Sequence, residues 1–243
     1  MSKPICAIVG AGEGLGQSLA AKFAAEGFDI ALVSRSETGS DAAAAAASDA
    51  RPEAAVKYFA ADAMQPETIE DAFRQISRDL GEVEVLIYNV RGSFARCELL
   101  DVTYAQLDET YKVEVVGAFA AAKSVLPAMR QRRRGSVLLS SATAALRGSA
   151  MNPLYAIGKF GLRALSQSLA KAYSKDGVHV VHFRLDCDLD MPLIREAYGD
   201  KFDPEFAANT DDVAQTYWWA HMQPKSAWSN EIELRPYTET WTY

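Results

Sequence analysis

Apolar runs of strand length alternate with longer segments of helical period along almost the whole chain, and this alternation constrains the fold more than any single motif. "ICAIVG" (5–10), "DIALVS" (29–34), "AVKYFAAD" (55–62), "VEVLIYN" (83–89), "GSVLLSS" (135–141) and "VHVVHFRL" (178–185) read as buried strands. Helical segments lie between them, over 15–27, 66–80, 104–130 and 154–176. Strands that are apolar almost throughout are covered on both faces. The pattern therefore predicts an α/β fold, a doubly wound parallel sheet with helices on both faces. "NEIELRP" (230–236) is a candidate seventh strand, and "DAAAAAASDA" (41–50) reads as a surface helix because alanine is the best helix former. No repeat and no Gly-, Ser- or Pro-rich linker divides the 243 residues, so a single domain over 1–243 is expected.

The formal net charge of −7 argues against nucleic acid as the main partner. The one basic run, "RQRRRG" (130–135), reads as a solvated helix end rather than a phosphate patch. Cys6, Cys97 and Cys187 are widely spaced and suggest neither a disulfide framework nor a CxxC pair. His179, His182 and His221 form no HExxH pattern, so no metal site is expected. The start of the chain does not read as a signal peptide, and no apolar stretch reaches the length of a membrane span. The expected location is cytoplasmic, without a membrane partner.

"VGAGEGLG" (9–16) lies between the first strand and the first helix, the context that a dinucleotide fingerprint of a Rossmann fold requires. Gly10 permits the tight turn, Gly14 lets the backbone approach a pyrophosphate, and Gly16 allows close helix–strand packing. Leu15 opens the helix whose free N–H groups and positive dipole end would face the phosphates. The second strand ends in "LVSRSE" (32–37), where an acidic residue would bind the ribose 2′-hydroxyl of NAD. Ser34 and Arg35 occupy that corner instead, and an arginine pairs well with a 2′-phosphate. The cofactor reading is NADP, with NAD possible because Glu13 adds negative charge to the loop.

With the glycine loop and Tyr155-x-x-x-Lys159 both present, the chain resembles the short-chain dehydrogenase/reductase family over nearly its whole length. The resemblance implies hydride transfer between a nicotinamide and a small-molecule carbonyl/alcohol pair. Asp62 and Ala63 of "AADA" would hold the adenine, and Asn89 of "IYNVRG" matches the second asparagine of the family's Asn-Asn-Ala-Gly stretch, from which Tyr88, Val90 and Arg91 depart. Tyr155 would exchange the proton on the reacting oxygen. A free tyrosine ionises near pH ~10, and Lys159, one helical turn away, is expected to lower that value and to bind the nicotinamide ribose. Leu189 would offer backbone groups to the carboxamide, 188–212 would form a substrate lid, and a homo-dimer or homo-tetramer would form through the long helices, aided by the apolar face of 115–126.

Several departures gather near the expected chemistry. The family's serine lies 13 positions before the tyrosine, which falls on Ala142 (155 − 13 = 142). Ser141 and Thr143 flank it, on opposite strand faces from Ala142, and Ser141 is the preferred replacement. Glu114 stands where the family usually has an asparagine, and its charge would oppose a phenolate. Asp186-Cys187 replaces a Pro-Gly turn, and Met191 a threonine. Two readings follow: an NAD(P)-dependent oxidoreductase acting through Tyr155, Lys159 and Ser141, or a catalytically degenerate NADP-binding sensor or scaffold. A cofactor-free lyase on this fold would have lost the glycine loop. Trp218, Trp219, Trp228 and Trp241 are expected in the core or a subunit interface rather than stacked on substrate.

Overall fold

All six apolar runs become strands of one parallel sheet. The computed structural model describes residues 3–239. In chain order the elements are β1 (Ile5–Val9), α1 (Leu15–Ala25), β2 (Asp29–Ser34), α2 (Asp41–Ala50), β3 (Val56–Ala60), α3 (Pro66–Asp79), β4 (Val83–Tyr88) and α4 (Tyr104–Tyr111). They continue with α5 (Gly117–Gln131), β5 (Gly135–Ala142), α6 (Pro153–Tyr173), β6 (Val178–Leu185), β7 (Asp188–Asp190), α7 (Pro192–Tyr198), β8 (Ala207–Asn209), α8 (Thr210–His221) and β9 (Glu231–Leu234). The main sheet runs β3-β2-β1-β4-β5-β6-β9, and every pair in it is parallel. The "NEIELRP" segment does supply the seventh strand, at the β6 edge.

Strand alternation builds two cores. Leu86, Val137, Leu139 and Val180 meet Ile76 of α3, Val125 of α5 and Leu162 of α6 on one face. Ile8, Leu32, Leu138 and Phe183 meet Leu19 and Phe23 of α1, Ala43 and Ala47 of α2, and Tyr217 of α8 on the other. The arginines of the basic run are held at a helix end: Arg130 pairs with Asp176, Arg134 with Glu84, and Arg132 and Arg133 donate to the Val83 and Lys175 carbonyls. Trp218 packs edge-on against Phe23 and Phe28, and Trp228 stacks on His179. Trp219 is exposed, and Trp241 lies outside the described residues.

One expectation is refined and one corrected. The segment 104–130 is helical throughout but is not regular α-helix: α4 ends at Tyr111, a wide π-helical turn spans Lys112–Val116, and α5 begins at Gly117. The Tyr88 hydroxyl donates to the Val113 carbonyl inside that turn. A π-turn adds a residue without changing the apolar period strongly, so the sequence pattern does not reveal it. The apolar face of 115–126 is not left over for a second subunit either. Val115, Ala118, Ala121, Ala122, Val125 and Leu126 are buried in this chain's own core, and Phe119 alone of the large apolar residues there is exposed. Apolar side chains that do reach the surface nearby come from α4 and α6, among them Tyr104, Tyr111, Ile157 and Phe160.

The strand order reverses between β1 and β4, so the loops after these strands diverge and leave a crevice at their carboxyl ends. Among the described residues no helix is long and apolar enough to cross a membrane.

Candidate active site

Two cavities open at that crevice and share Gly10, Gly12, Asn89, Val90 and Arg91 along their boundary. One, of about 710 Å³, is lined by Ser34, Arg35, Asp62 and Ala63. The other, of about 790 Å³, is lined by Leu15, Ser141, Ala142, Tyr155, Lys159 and Leu189. A groove of about 940 Å³ between α3 and α5 contains none of the candidate residues and lies beside the start of β4, away from the strand carboxyl ends.

The glycine loop has the geometry of a cradle. Gly10 and Gly14 have φ of 85° and 87°, which side-chain-bearing residues rarely adopt. A Cβ on Gly10 would lie 2.7 Å from the Asn89 carbonyl oxygen. Gly16 is buried at the start of α1, close to the Gly10 carbonyl. No side chain caps the α1 N-terminus, so its amides are presented to the cavity mouth, where an anion would satisfy them. Ser34 is committed within the chain, donating to the Ser36 carbonyl at 2.8 Å with the Ser40 hydroxyl 2.7 Å away. Arg35 is exposed and forms no ion pair among the described residues. Asp62 accepts from the Met64 amide at 3.0 Å, and Asn89 donates to the Gly10 carbonyl at 3.2 Å. This donor set fits a phosphorylated dinucleotide.

Tyr155 and Lys159 lie one turn apart on α6, with the Lys159 ammonium 5.6 Å from the Tyr155 ring centroid. Lys159 is 2% exposed, and its ammonium faces the fully buried Glu114, whose Oε2 is 2.8 Å away. The Ser140 carbonyl accepts from Lys159 at 3.4 Å. Glu114 Oε1 accepts from the Gly92 amide at 2.7 Å, so one carboxylate ties α6 to the loop after β4. Gly158 makes room for it, because a Cβ there would lie 2.7 Å from Glu114 Cγ.

Burial pushes the Tyr155 phenol above the ordinary tyrosine value. Lys159 pulls it down, Glu114 pushes it up, and Arg91 pulls it down again, with a net rise. The expected lowering by Lys159 is thus outweighed by burial, and the lysine's charge is offset by a carboxylate at contact distance. Phe94 packs edge-on against Tyr155 at 5.0 Å between centroids.

The strand end separates the hydroxyls. Ser140 lies 2.9 Å from the Tyr217 hydroxyl on the α8 side. Thr143 donates to Asp186 and is therefore spent. Ser141 shares the parity of Val137 and Leu139, which face α6, and its buried hydroxyl has no hydrogen-bond partner among the described residues. Ala142, at the end of β5, is half-buried and lines the same cavity. Cys187 lines the cavity too, but burial pushes its thiol up to about 12, which leaves no thiolate for nucleophilic work at neutral pH.

From segment 188–212, Leu189, Met191 and, in α7, Leu193, Ile194, Ala197 and Tyr198 line this cavity. A short parallel pair, β7 with β8, closes the segment on itself. None of Trp218, Trp219 and Trp228 lines the cavity. Sequence reasoning missed Phe94, Arg147 and Asn152 as lining residues, and noted Arg91 only as a departure. These sit in loops, where no periodicity reports direction.

A sequence profile described as "short chain dehydrogenase" matches residues 4–185. Levodione reductase of Leifsonia aquatica is 27% identical over 173 residues, covering 71% of this chain and 65% of that protein. A solved short-chain dehydrogenase from Rhodopseudomonas palustris superposes with a TM-score of 0.81 at 27% identity, over 96% of this chain and 99% of the other. L-sorbose reductase from Gluconobacter frateurii, solved with NADPH and L-sorbose, superposes with a TM-score of 0.84 at 20% identity, over 97% and 96% of the two chains.

Proposed function

The chain belongs to the short-chain dehydrogenase family, and from that membership we propose an NADP-preferring oxidoreductase in which Tyr155 exchanges the proton and Lys159 and Ser141 assist. The observation that carries the reading is convergence: the glycine loop, Arg35 and the Tyr155–Lys159 pair line two cavities that meet at Asn89. That sorbose reductase was solved with NADPH supports the cofactor.

A reduced nicotinamide, when bound, supplies the hydride that adds to the carbonyl carbon. As the C=O π bond breaks, its electron pair moves to oxygen, and Tyr155 Oη gives up its proton to that oxygen. The resulting phenolate is held by the Lys159 ammonium and the Arg91 guanidinium. Ser141, whose buried hydroxyl has no other hydrogen-bond partner among the described residues, donates to the carbonyl oxygen in place of a residue at Ala142. Glu114 holds Lys159 in register at a cost in phenolate stability. Asp62, Ala63 and Asn89 frame the adenosine side, Leu189 flanks the nicotinamide side, and 188–212 acts as the lid. The sensor or scaffold alternative gains no support from this arrangement, because the two groups hardest to replace remain together in one cavity. Self-association through the apolar side chains of α4 and α6 accompanies the reading.

Calorimetric titration tests the cofactor assignment. NADPH is expected to bind about 10-fold or more tightly than NADH, since a charge-assisted pair contributes about 1.5–3 kcal/mol. Arg35→Asp should erase or reverse the preference. Equal affinities in the wild type would remove Arg35 from the 2′-phosphate role.

A further inference from the structure

The charges around Tyr155 do not balance evenly. Lys159 has a carboxylate at 2.8 Å, so its field in the cavity is largely cancelled by Glu114. Arg91 has no carboxylate partner among the described residues. Its guanidinium lies 5.9 Å from the Phe94 ring centroid, and Phe94 in turn packs against Tyr155. The backbone beneath it is anchored, because the next residue, Gly92, donates its amide to Glu114. Arg91 is thus a cation beside the proton donor, in contact with the Phe94 ring, on a backbone whose next residue is anchored to Glu114.

Other charges in the cavity leave this one available. Asp188 accepts from the Tyr198 hydroxyl at 2.7 Å, and Glu13 lines the cavity from the glycine loop without an ion pair to Arg91. Arg147 lines the cavity as well, a further cation beside Arg91 and Lys159. Apolar lining comes from Leu189, Met191, Leu193 and Ile194, and neutral polar lining from Ser149, Asn152 and Tyr198 among others. Arg91 is exposed, so its guanidinium stays hydrated when a neutral carbonyl compound binds and gains a charge-assisted partner only from an anionic one. A planar guanidinium matches a carboxylate with two parallel hydrogen bonds.

We propose that Arg91 is the specificity-determining residue of the substrate cavity and that the carbonyl substrate carries a carboxylate, which Arg91 receives while Tyr155 faces the reacting oxygen. This rests on the oxidoreductase reading above and narrows its substrate class to oxo acids. The same guanidinium borders the dinucleotide cavity, so the anionic oxygens of the cofactor's phosphates are the competing source of the same chemistry.

The test compares aryl and alkyl oxo acids with their methyl esters, using NADPH and the full-length protein. The wild type is expected to prefer acids by about 10-fold or more in kcat/KM. Arg91→Met, which keeps an unbranched apolar stem without the charge, should bring the acid-to-ester ratio close to one, and Arg91→Lys should restore part of it. Benzoate, which has no reducible carbonyl, gives a readout independent of turnover. Titrated into the NADP-saturated protein, it should bind the wild type at least 10-fold more tightly than Arg91→Met, while benzamide should show no such difference. No acid preference in the wild type, or equal benzoate binding by both proteins, overturns the proposal. So does an Arg147→Met variant that loses the preference while Arg91→Met keeps it. A loss of NADPH affinity in Arg91→Met with benzoate binding unchanged assigns the guanidinium to the cofactor phosphates instead. Failure of every acid and ester to turn over would count against the oxidoreductase reading, and the benzoate titration would still decide the role of Arg91.

Discussion

Tyr155 works under opposing influences: burial and Glu114 favour the neutral phenol, and Lys159 and Arg91 favour the phenolate. The net rise has a direction that rates can read. Reduction needs the protonated phenol, so its rate should hold through neutral pH and fall only above pH 10. Oxidation needs the phenolate and should still be rising at pH 10. Glu114→Gln removes the opposing charge and should move both profiles to lower pH, which pH–rate measurements in the two directions would show. A reduction rate that halves near pH 7 would contradict this account. Strand parity makes a second residue-scale prediction. Ser141→Ala should lower turnover about 10²–10³-fold if its unpartnered hydroxyl is the donor to the carbonyl, whereas Ala142→Ser should change little. The reverse pattern would place the lost donor at position 142.

At the scale of elements, the π-turn Lys112–Val116 and helix α6 are joined by the Lys159–Glu114 ion pair, which solvent hardly reaches. Removing one partner of a buried pair strands the other charge and costs about 3–5 kcal/mol. Lys159→Met and Glu114→Gln should each lower the urea midpoint accordingly, and the double variant should recover most of the loss. Additive losses in the double variant would mean that the pair is not coupled. The sequence shows why this junction was hard to read. Strands and glycine loop announce themselves through local apolar runs and through residues with special backbone freedom, and both were legible. In the sequence Glu114 reads only as a charge opposing the phenolate, because its partners, Gly92 and Lys159, are brought to it by the turn and by the space at Gly158. For the same reason the apolar face of α5 resembled a surface patch until its sheet partners were known. Arg91 lies in a loop whose direction depends on Phe94 and Gly92, and no periodicity encodes that.

For the whole molecule, the parallel sheet brings loops from β1, β4, β5 and β6 to one end and leaves the helices to close the two cores. His182 and His221 are buried in the body so formed, and burial lowers each to about 4. Below the ordinary value of 6.5 the unfolded chain takes up these protons and the folded chain does not, so stability present above pH 6.5 is lost as pH falls toward 4. Each contributes about 3 kcal/mol to that loss, and His182→Leu should flatten the fall between urea titrations at pH 7 and pH 4.5. The central claim, that one end of this sheet carries a working hydride-transfer site, is tested most directly by NADPH consumption with a broad panel of carbonyl compounds, oxo acids included. The wild type should oxidise NADPH in a substrate-dependent way, and Tyr155→Phe should abolish that turnover while binding NADPH with nearly unchanged affinity. Tight NADPH binding with no turnover of any compound by the wild type, or a Tyr155→Phe variant as active as the wild type, would contradict it.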